Sequence, residues 1–306
     1  MWLLIKIIHH MIKFKGAIAK LEEAAARAHD RPARLDQLRS ACHHLTGVDS
    51  HLSRMHDFLE SDLPGDDRLG IWGRRGAGKT SLLTPLHQPR PYHALFDRVL
   101  YLALGGSSSV ADVRRCIGIC LGYYSHGELT PADERALARL IRRDLSRRSF
   151  LLLLDGLGAP VDLAAAGVPV PLGKSGRRQK VVVASETPDV CALMGCAADN
   201  VVEIGRLGED DASGLFRDCV GDKILQNSRI RPLAKEMAEA CGGLPLALRM
   251  FGCPMSAIEH ADEWRYMHKY LKGSASIVTG TAFRFVSRYP ALVGCFSCNN
   301  NAYFLP

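Results

Sequence analysis

Nothing in the 306 residues approaches the roughly 18 consecutive apolar positions of a membrane-crossing helix, so no membrane span is expected. Aromatic residues are sparse at 7% and spread out, and the net charge is only +7, from 39 basic and 32 acidic side chains. A nucleic-acid motor concentrates Lys and Arg in a groove with aromatic platforms, so this composition argues against nucleic acid as partner. The apolar start Met1-Trp2-Leu3-Leu4-Ile5 is interrupted by Lys6. It has no basic stretch before it and no small-residue cleavage site after it, and so does not read as a secretory leader. Internal repeats are also missing. What is plentiful is cysteine, with ten residues. Without a leader, scattered thiols fit a reducing, cytoplasmic compartment in which Cys acts as a small buried hydrophobe. Cys42-His43-His44 and the Cys295, Cys298 pair could bind metal. Each lacks a second ligand pair at finger-like spacing, which makes free thiols the simpler reading.

Apolar and charged fractions of 47% and 23% are ordinary for a globular chain, and the length suggests about two units. Helical spacing links Ile18, Leu21, Ala25 and Ala28, with Arg31-Pro32 as the expected end. A second helical stretch runs from about Leu35 through Leu38 and Cys42 to Leu45, and a third carries Leu52, Met55, Phe58 and Leu59. Short β-rich runs then fall at Arg68–Trp72, Arg98–Leu104, Phe150–Leu154, Lys180–Ala184 and Val201–Ile204, with helical patterns at Val110–Leu121 and Asp133–Leu145. Continuous apolar runs such as Leu151-Leu152-Leu153-Leu154 suit a parallel sheet covered on both faces, and the expected architecture is a doubly wound α/β sheet. After Gly208 the patterns are helical: Asp210–Val220, Ile230–Cys241, Leu246–Phe251 and Ala261–Leu271. The expected division is an N-terminal helical arm (1–45), a nucleotide-binding unit (46–206), a small all-helical unit (207–272) and an ambiguous tail (273–306).

Gly73-Arg74-Arg75-Gly76-Ala77-Gly78-Lys79-Thr80 matches G-x-x-x-x-G-K-[ST], the P-loop. A triphosphate has to lie against backbone, which is why side chains are missing at Gly76 and Gly78, where successive N–H groups converge on phosphate oxygens. A helix starting at Lys79 points its positive end at the same anions. Lys79 would neutralise the β- and γ-phosphates, and the Thr80 hydroxyl would ligate Mg²⁺. Gly73, Gly76, Ala77, Gly78, Lys79, Thr80 and Ser81 are the candidate nucleotide contacts here. The motif follows one predicted strand directly and opens an apolar helix, as its mechanism requires. The matching acid is Asp155, which ends the run Phe150-Leu151-Leu152-Leu153-Leu154 and would hold Mg²⁺ through water. An ordinary turn residue before Gly156 is the alternative reading of Asp155.

Several segments, in this order, resemble the NB-ARC domain of plant nucleotide-binding leucine-rich-repeat immune receptors. Thr46-Gly47-Val48-Asp49 is similar to an adenine-contacting stretch, Gly70-Ile71-Trp72-Gly73 through Leu83 to the P-loop, and Phe96-Asp97-Arg98-Val99-Leu100-Tyr101-Leu102 to the second-strand motif. Phe150 through Pro171 resembles the second acidic motif and its downstream Val-Pro, here Val168-Pro169. Cys241-Gly242-Gly243-Leu244-Pro245-Leu246-Ala247-Leu248 resembles the GLPL motif, Glu263-Trp264 the acidic-Trp pair after it, and Cys295-Phe296-Ser297-Cys298 the start of a winged-helix subdomain. The resemblance runs from about Thr46 to Leu271. It implies an ATP/ADP switch, closed and inactive with ADP, opened by exchange for ATP and then prone to self-association. It also implies that Pro245 packs against the nucleotide and that Val48 lies near the adenine, although Pro245 equally suits the first position of a helix.

The departures from that pattern concern hydrolysis. The family usually has two consecutive acids in its second motif, whereas Asp155 is followed by Gly156-Leu157-Gly158. The run Val183-Ala184-Ser185-Glu186 places Glu186 where the family carries a γ-phosphate-sensing Arg. A carboxylate there would repel the charge that develops in phosphoryl transfer. Arg177 and Arg178 precede the strand, at its wrong end. The resemblance therefore implies a binder of adenine nucleotide, ADP in preference to ATP, with Mg²⁺ and with weak or absent hydrolysis, in defence signalling. Two other readings are a working signal-transducing P-loop ATPase, and a truncated interaction protein without leucine-rich repeats that pairs with a full-length receptor. That pairing would run through the N-terminal helices, Ile18 to Ala28 and Leu35 to Leu45, which are either a coiled-coil remnant or a solvated arm.

Overall fold

The computed structural model describes residues 30–42, 45–63, 65–87, 92–123, 130–174 and 176–273. Helices α1 (residues 30–41) and α2 (Asp49–Glu60) precede strand β1 (Arg68–Trp72) and helix α3 (Lys79–His87). Strand β2 (Arg98–Ala103) is followed by α4 (Val110–Cys120) and α5 (Pro131–Leu145), β3 (Phe150–Asp155) by the short α6 (Leu163–Ala166), and β4 (Gln179–Ser185) by α7 (Pro188–Leu193). After β5 (Val201–Glu203) come α8 (Glu209–Val220), α9 (Asp222–Leu225), α10 (Arg231–Ala240), α11 (Pro245–Met255) and α12 (Ala261–Gly273).

The five strands form one parallel sheet in the order β2-β3-β4-β1-β5. Every residue of β3 and β4 is buried, as interior parallel strands with both faces covered require. The two faces separate by parity. Leu152, Leu154, Val181 and Val183 pack with α4 and α5, while Leu151, Leu153, Val182 and Ala184 pack with α1, α2 and α3. A third cluster lies wholly after residue 207 and holds Phe216, Met237, Leu248, Phe251 and Trp264. The fold is thus an α/β doubly wound parallel sheet followed by helices.

Strand boundaries agree with the sequence pattern to within one residue at each end, because Leu and Val runs set them. Three local expectations are corrected. The second helical stretch reaches back at least to residue 30 rather than starting at about Leu35, which puts Arg31-Pro32 within α1. The reason is tertiary: Leu38 and Cys42 are buried in the core cluster beneath β1, and Arg34 makes a two-pronged ion pair with Glu60 of α2. Helix α5 starts at Pro131 rather than at Asp133, because Thr130 caps it and Asp133 returns a bond to the Thr130 N–H. Helix α11 continues past Phe251 to Met255, since Gly252 lets α8 approach closely (a Cβ there would lie 2.7 Å from Cys219 Cβ) and Pro254 falls in the last turn.

The helical pattern Ile18–Ala28, His43-His44, Cys295, Cys298 and the tail after Gly273 lie outside the described residues. Among the described residues the eight cysteines are free thiols, and no helix is long and apolar enough to cross a membrane.

Candidate functional site

Strand register brings the expected site residues to one edge of the sheet. Trp72 lies opposite Ser185, and Asp155 lies between Ala184 on one side and Ala103 on the other. The loops leaving β1, β3 and β4 therefore emerge side by side at the carboxyl ends, where open α/β sheets bind ligands.

The loop after β1 is held from both flanks: Gly73 N–H donates to Ser185 O at 3.3 Å, and Ile204 N–H donates to Trp72 O at 2.7 Å. Gly76 and Gly78 adopt φ of +83° and +109°, conformations that side chains other than glycine's rarely accept, and a Cβ on Gly78 would meet nothing within 4 Å. The loop thus turns on glycines, open at Gly78 and packed at Gly76, where a Cβ would lie 2.9 Å from Leu246 Cβ, and its last residue leads into α3. Ala77 is buried, Ser81 half-buried and Thr80 exposed. Lys79 is 9% exposed, and its ammonium donates to Gly73 O at 2.6 Å and Arg74 O at 3.1 Å. Burial lowers its pKa below the ordinary lysine value, a shift opposed by the carboxylates of Glu186 and Asp155 and aided by Arg75.

Asp155, 7% exposed, accepts a hydrogen bond on Oδ2 from the Tyr101 hydroxyl at 2.7 Å. Burial, with that bond to Asp155, pushes the Tyr101 phenol well above its usual pKa and keeps it a donor. Gly156, where the resemblance leads one to expect a second acid, turns at φ +82°, and its N–H donates to Ala184 O at 3.1 Å. A Cβ there would lie 2.6 Å from Leu104 O. Glu186 emerges beside the P-loop and pairs with Arg75 at 3.2 Å, both side chains being more than half exposed. Arg178 lies at the opposite edge, bonded to Asp62 at 2.6 Å and to the last carbonyls of α2.

Pro245 opens α11, and the next residue anchors that helix on the P-loop: Leu246 N–H donates to Gly76 O at 3.2 Å. Gly243 O in turn accepts from Leu207 N–H at 2.8 Å. Val48 precedes α2 and packs, half-buried, against the cluster beneath β1. Among the described residues, no group of three or more His, Cys, Asp or Glu side chains forms a metal cage. The P-loop, Asp155, Glu186 and the start of α11 are thus assembled at one place. Tyr101, the Arg75–Glu186 pair and Leu246 are additions that sequence reasoning did not single out. Tyr101 lies opposite Leu153, two residues before Asp155 on the neighbouring strand, and such a same-face diagonal pair is readable only once the strand pairing is known.

Residues 48–226 match the family model described as the NB-ARC domain. Disease resistance protein RPS5 of Arabidopsis thaliana is 34% identical over 238 residues, which is 77% of this chain and 26% of that protein. Disease resistance protein RFL1 of the same plant is 33% identical over 230 residues, 74% of this chain and 25% of that protein. The chain thus spans about a quarter of the length of these curated relatives. Among solved structures, Cdc6p from Pyrobaculum aerophilum aligns with a TM-score of 0.42 at 16% identity, over 67% of this chain and 60% of that one. The family match covers more than half of the chain and encloses the loops after β1, β3 and β4: this chain belongs to the NB-ARC family.

Proposed function

We propose that the protein binds adenine nucleotide at the carboxyl edge of its sheet, prefers ADP to ATP, and hydrolyses ATP slowly or not at all. The observation that carries this reading is the contrast within one edge: an open glycine-lined cradle with a buried Lys79, beside Gly156 and Glu186 where hydrolytic side chains are expected. In this reading the N–H groups from Gly78 to Ser81, at the start of α3, bind the phosphates, and the Lys79 ammonium, already desolvated, turns from loop carbonyls to phosphate oxygens. Val48 and Pro245 would border the adenine side.

The donor set suits a hard cation. Thr80 offers an exposed hydroxyl and Asp155 a carboxylate, oxygen ligands of the kind Mg²⁺ prefers. When bound, Mg²⁺ would neutralise charge on the β- and γ-phosphates. Glu186 would add negative charge near the terminal phosphate, which disfavours the triphosphate relative to the diphosphate. Relatives named as disease resistance proteins support a role for such a nucleotide switch in plant defence signalling, and free thiols suit an intracellular, cytoplasmic setting. Self-association, or pairing with a full-length receptor, would then be the output.

The nucleotide released from purified protein, together with turnover of Mg-ATP by the wild type and by Lys79→Ala, tests the proposal. Retained ADP and negligible turnover are expected. Robust hydrolysis that depends on Lys79 would overturn the slow-hydrolysis half, and failure to bind any nucleotide would overturn the whole.

A further inference from the structure

We propose that Tyr101 is a positioning residue for the Mg²⁺-directed carboxylate of Asp155, an inference that rests on the role given to Asp155 above. Tyr101 reaches across from β2 to the last residue of β3, and its hydroxyl donates to Asp155 Oδ2 at 2.7 Å. Asp155 ends a strand in which every residue is buried, so few groups compete for its carboxylate. One oxygen held by a phenol fixes the orientation of the carboxylate and leaves Oδ1 as the acceptor for the metal's hydration shell. The ring has separate packing, lying 5.6 Å from His87 of α3 between centroids, so the hydroxyl and the ring have separable roles.

Tyr101→Phe keeps the ring and removes the hydroxyl. The test is a Mg²⁺ titration of the full chain saturated with a fluorescent ADP analogue, on wild type, Tyr101→Phe and Asp155→Asn. ADP affinity in EDTA and the thermal midpoint of the nucleotide-free protein are measured alongside. Loss of a group that orients a metal ligand weakens metal binding about 10-fold or more. Tyr101→Phe should therefore move the Mg²⁺ midpoint up by about 10-fold while ADP affinity in EDTA and thermal midpoint stay unchanged. Asp155→Asn should move the Mg²⁺ midpoint further. An unmoved midpoint in Tyr101→Phe, with a shifted one in Asp155→Asn, would overturn the positioning role and leave the role of Asp155 standing. An unmoved midpoint in Asp155→Asn would overturn both. Equal loss of affinity with Mg²⁺ and in EDTA for Tyr101→Phe would show a general structural effect and overturn the proposal.

Discussion

The loop after β1 and the loops after β3 and β4 share one edge of one sheet, but they rest on different chemistry. In the proposed reading the working groups after β1 are backbone N–H donors, presented by the turns at Gly76 and Gly78 and backed by the buried Lys79 ammonium. After β3 and β4 the working groups have to be side chains, and there the chain has Gly156 and the exposed Glu186. Phosphate binding needs little more than correct backbone turns, whereas hydrolysis needs particular atoms held at particular places. A sheet edge can therefore lose the second capacity while keeping the first.

The largest expected effect falls on the β1 side. Hydrogen bonds to charged groups contribute about 1.5–3 kcal/mol each, so Lys79→Ala should weaken ADP binding by about 10- to 100-fold, as read by calorimetric titration. Unchanged affinity would mean that the loop is no phosphate cradle, and the comparison would collapse. On the β3 side, Gly156→Asp restores the family's acid in name only. At φ +82° with Leu104 O 2.6 Å from the new Cβ, the substitution should cost roughly 1–3 kcal/mol, seen as a lower thermal midpoint, with no gain in ATP turnover. A rise in turnover at an unchanged midpoint would show that the edge is repairable by one side chain. The smallest effect belongs to Glu186→Ala. Exposed charges of this kind interact by about 0.2–1 kcal/mol, so ATP affinity should rise relative to ADP by about 2- to 5-fold. The gain should shrink in high salt and leave the thermal midpoint unmoved, because Arg75 and Glu186 are 79% and 58% exposed.

Much of this edge is legible in the sequence because it is local. The strand Phe150–Asp155 declares itself by four leucines, and the cradle by glycines at fixed offsets before Lys79. What the sequence hides is everything that depends on which strand lies beside which. Tyr101 looks like an ordinary strand residue until β2 is laid against β3 in register. Leu246 is an unremarkable member of a GLPL-like segment until its N–H is found on Gly76 O, about 170 residues away in sequence. Helix ends fail for a related reason. Leu38 and Cys42 hold α1 by packing in the cluster beneath β1, and a window of local residues cannot register that.

The ion pair between Arg34 and Glu60 bears on how the protein can be cut. Both side chains are nearly shut off from solvent, at 7% and 5% exposure, and the second prong measures 3.1 Å. A version beginning at Thr46 would discard Arg34 together with Leu38 and Cys42. It would strip the Glu60 carboxylate of its guanidinium partner and uncover the apolar side chains of α2 that Leu38 and Cys42 pack with in the cluster beneath β1. The family match starts at residue 48, whereas the cluster beneath β1 draws on Leu38 and Cys42 upstream of it.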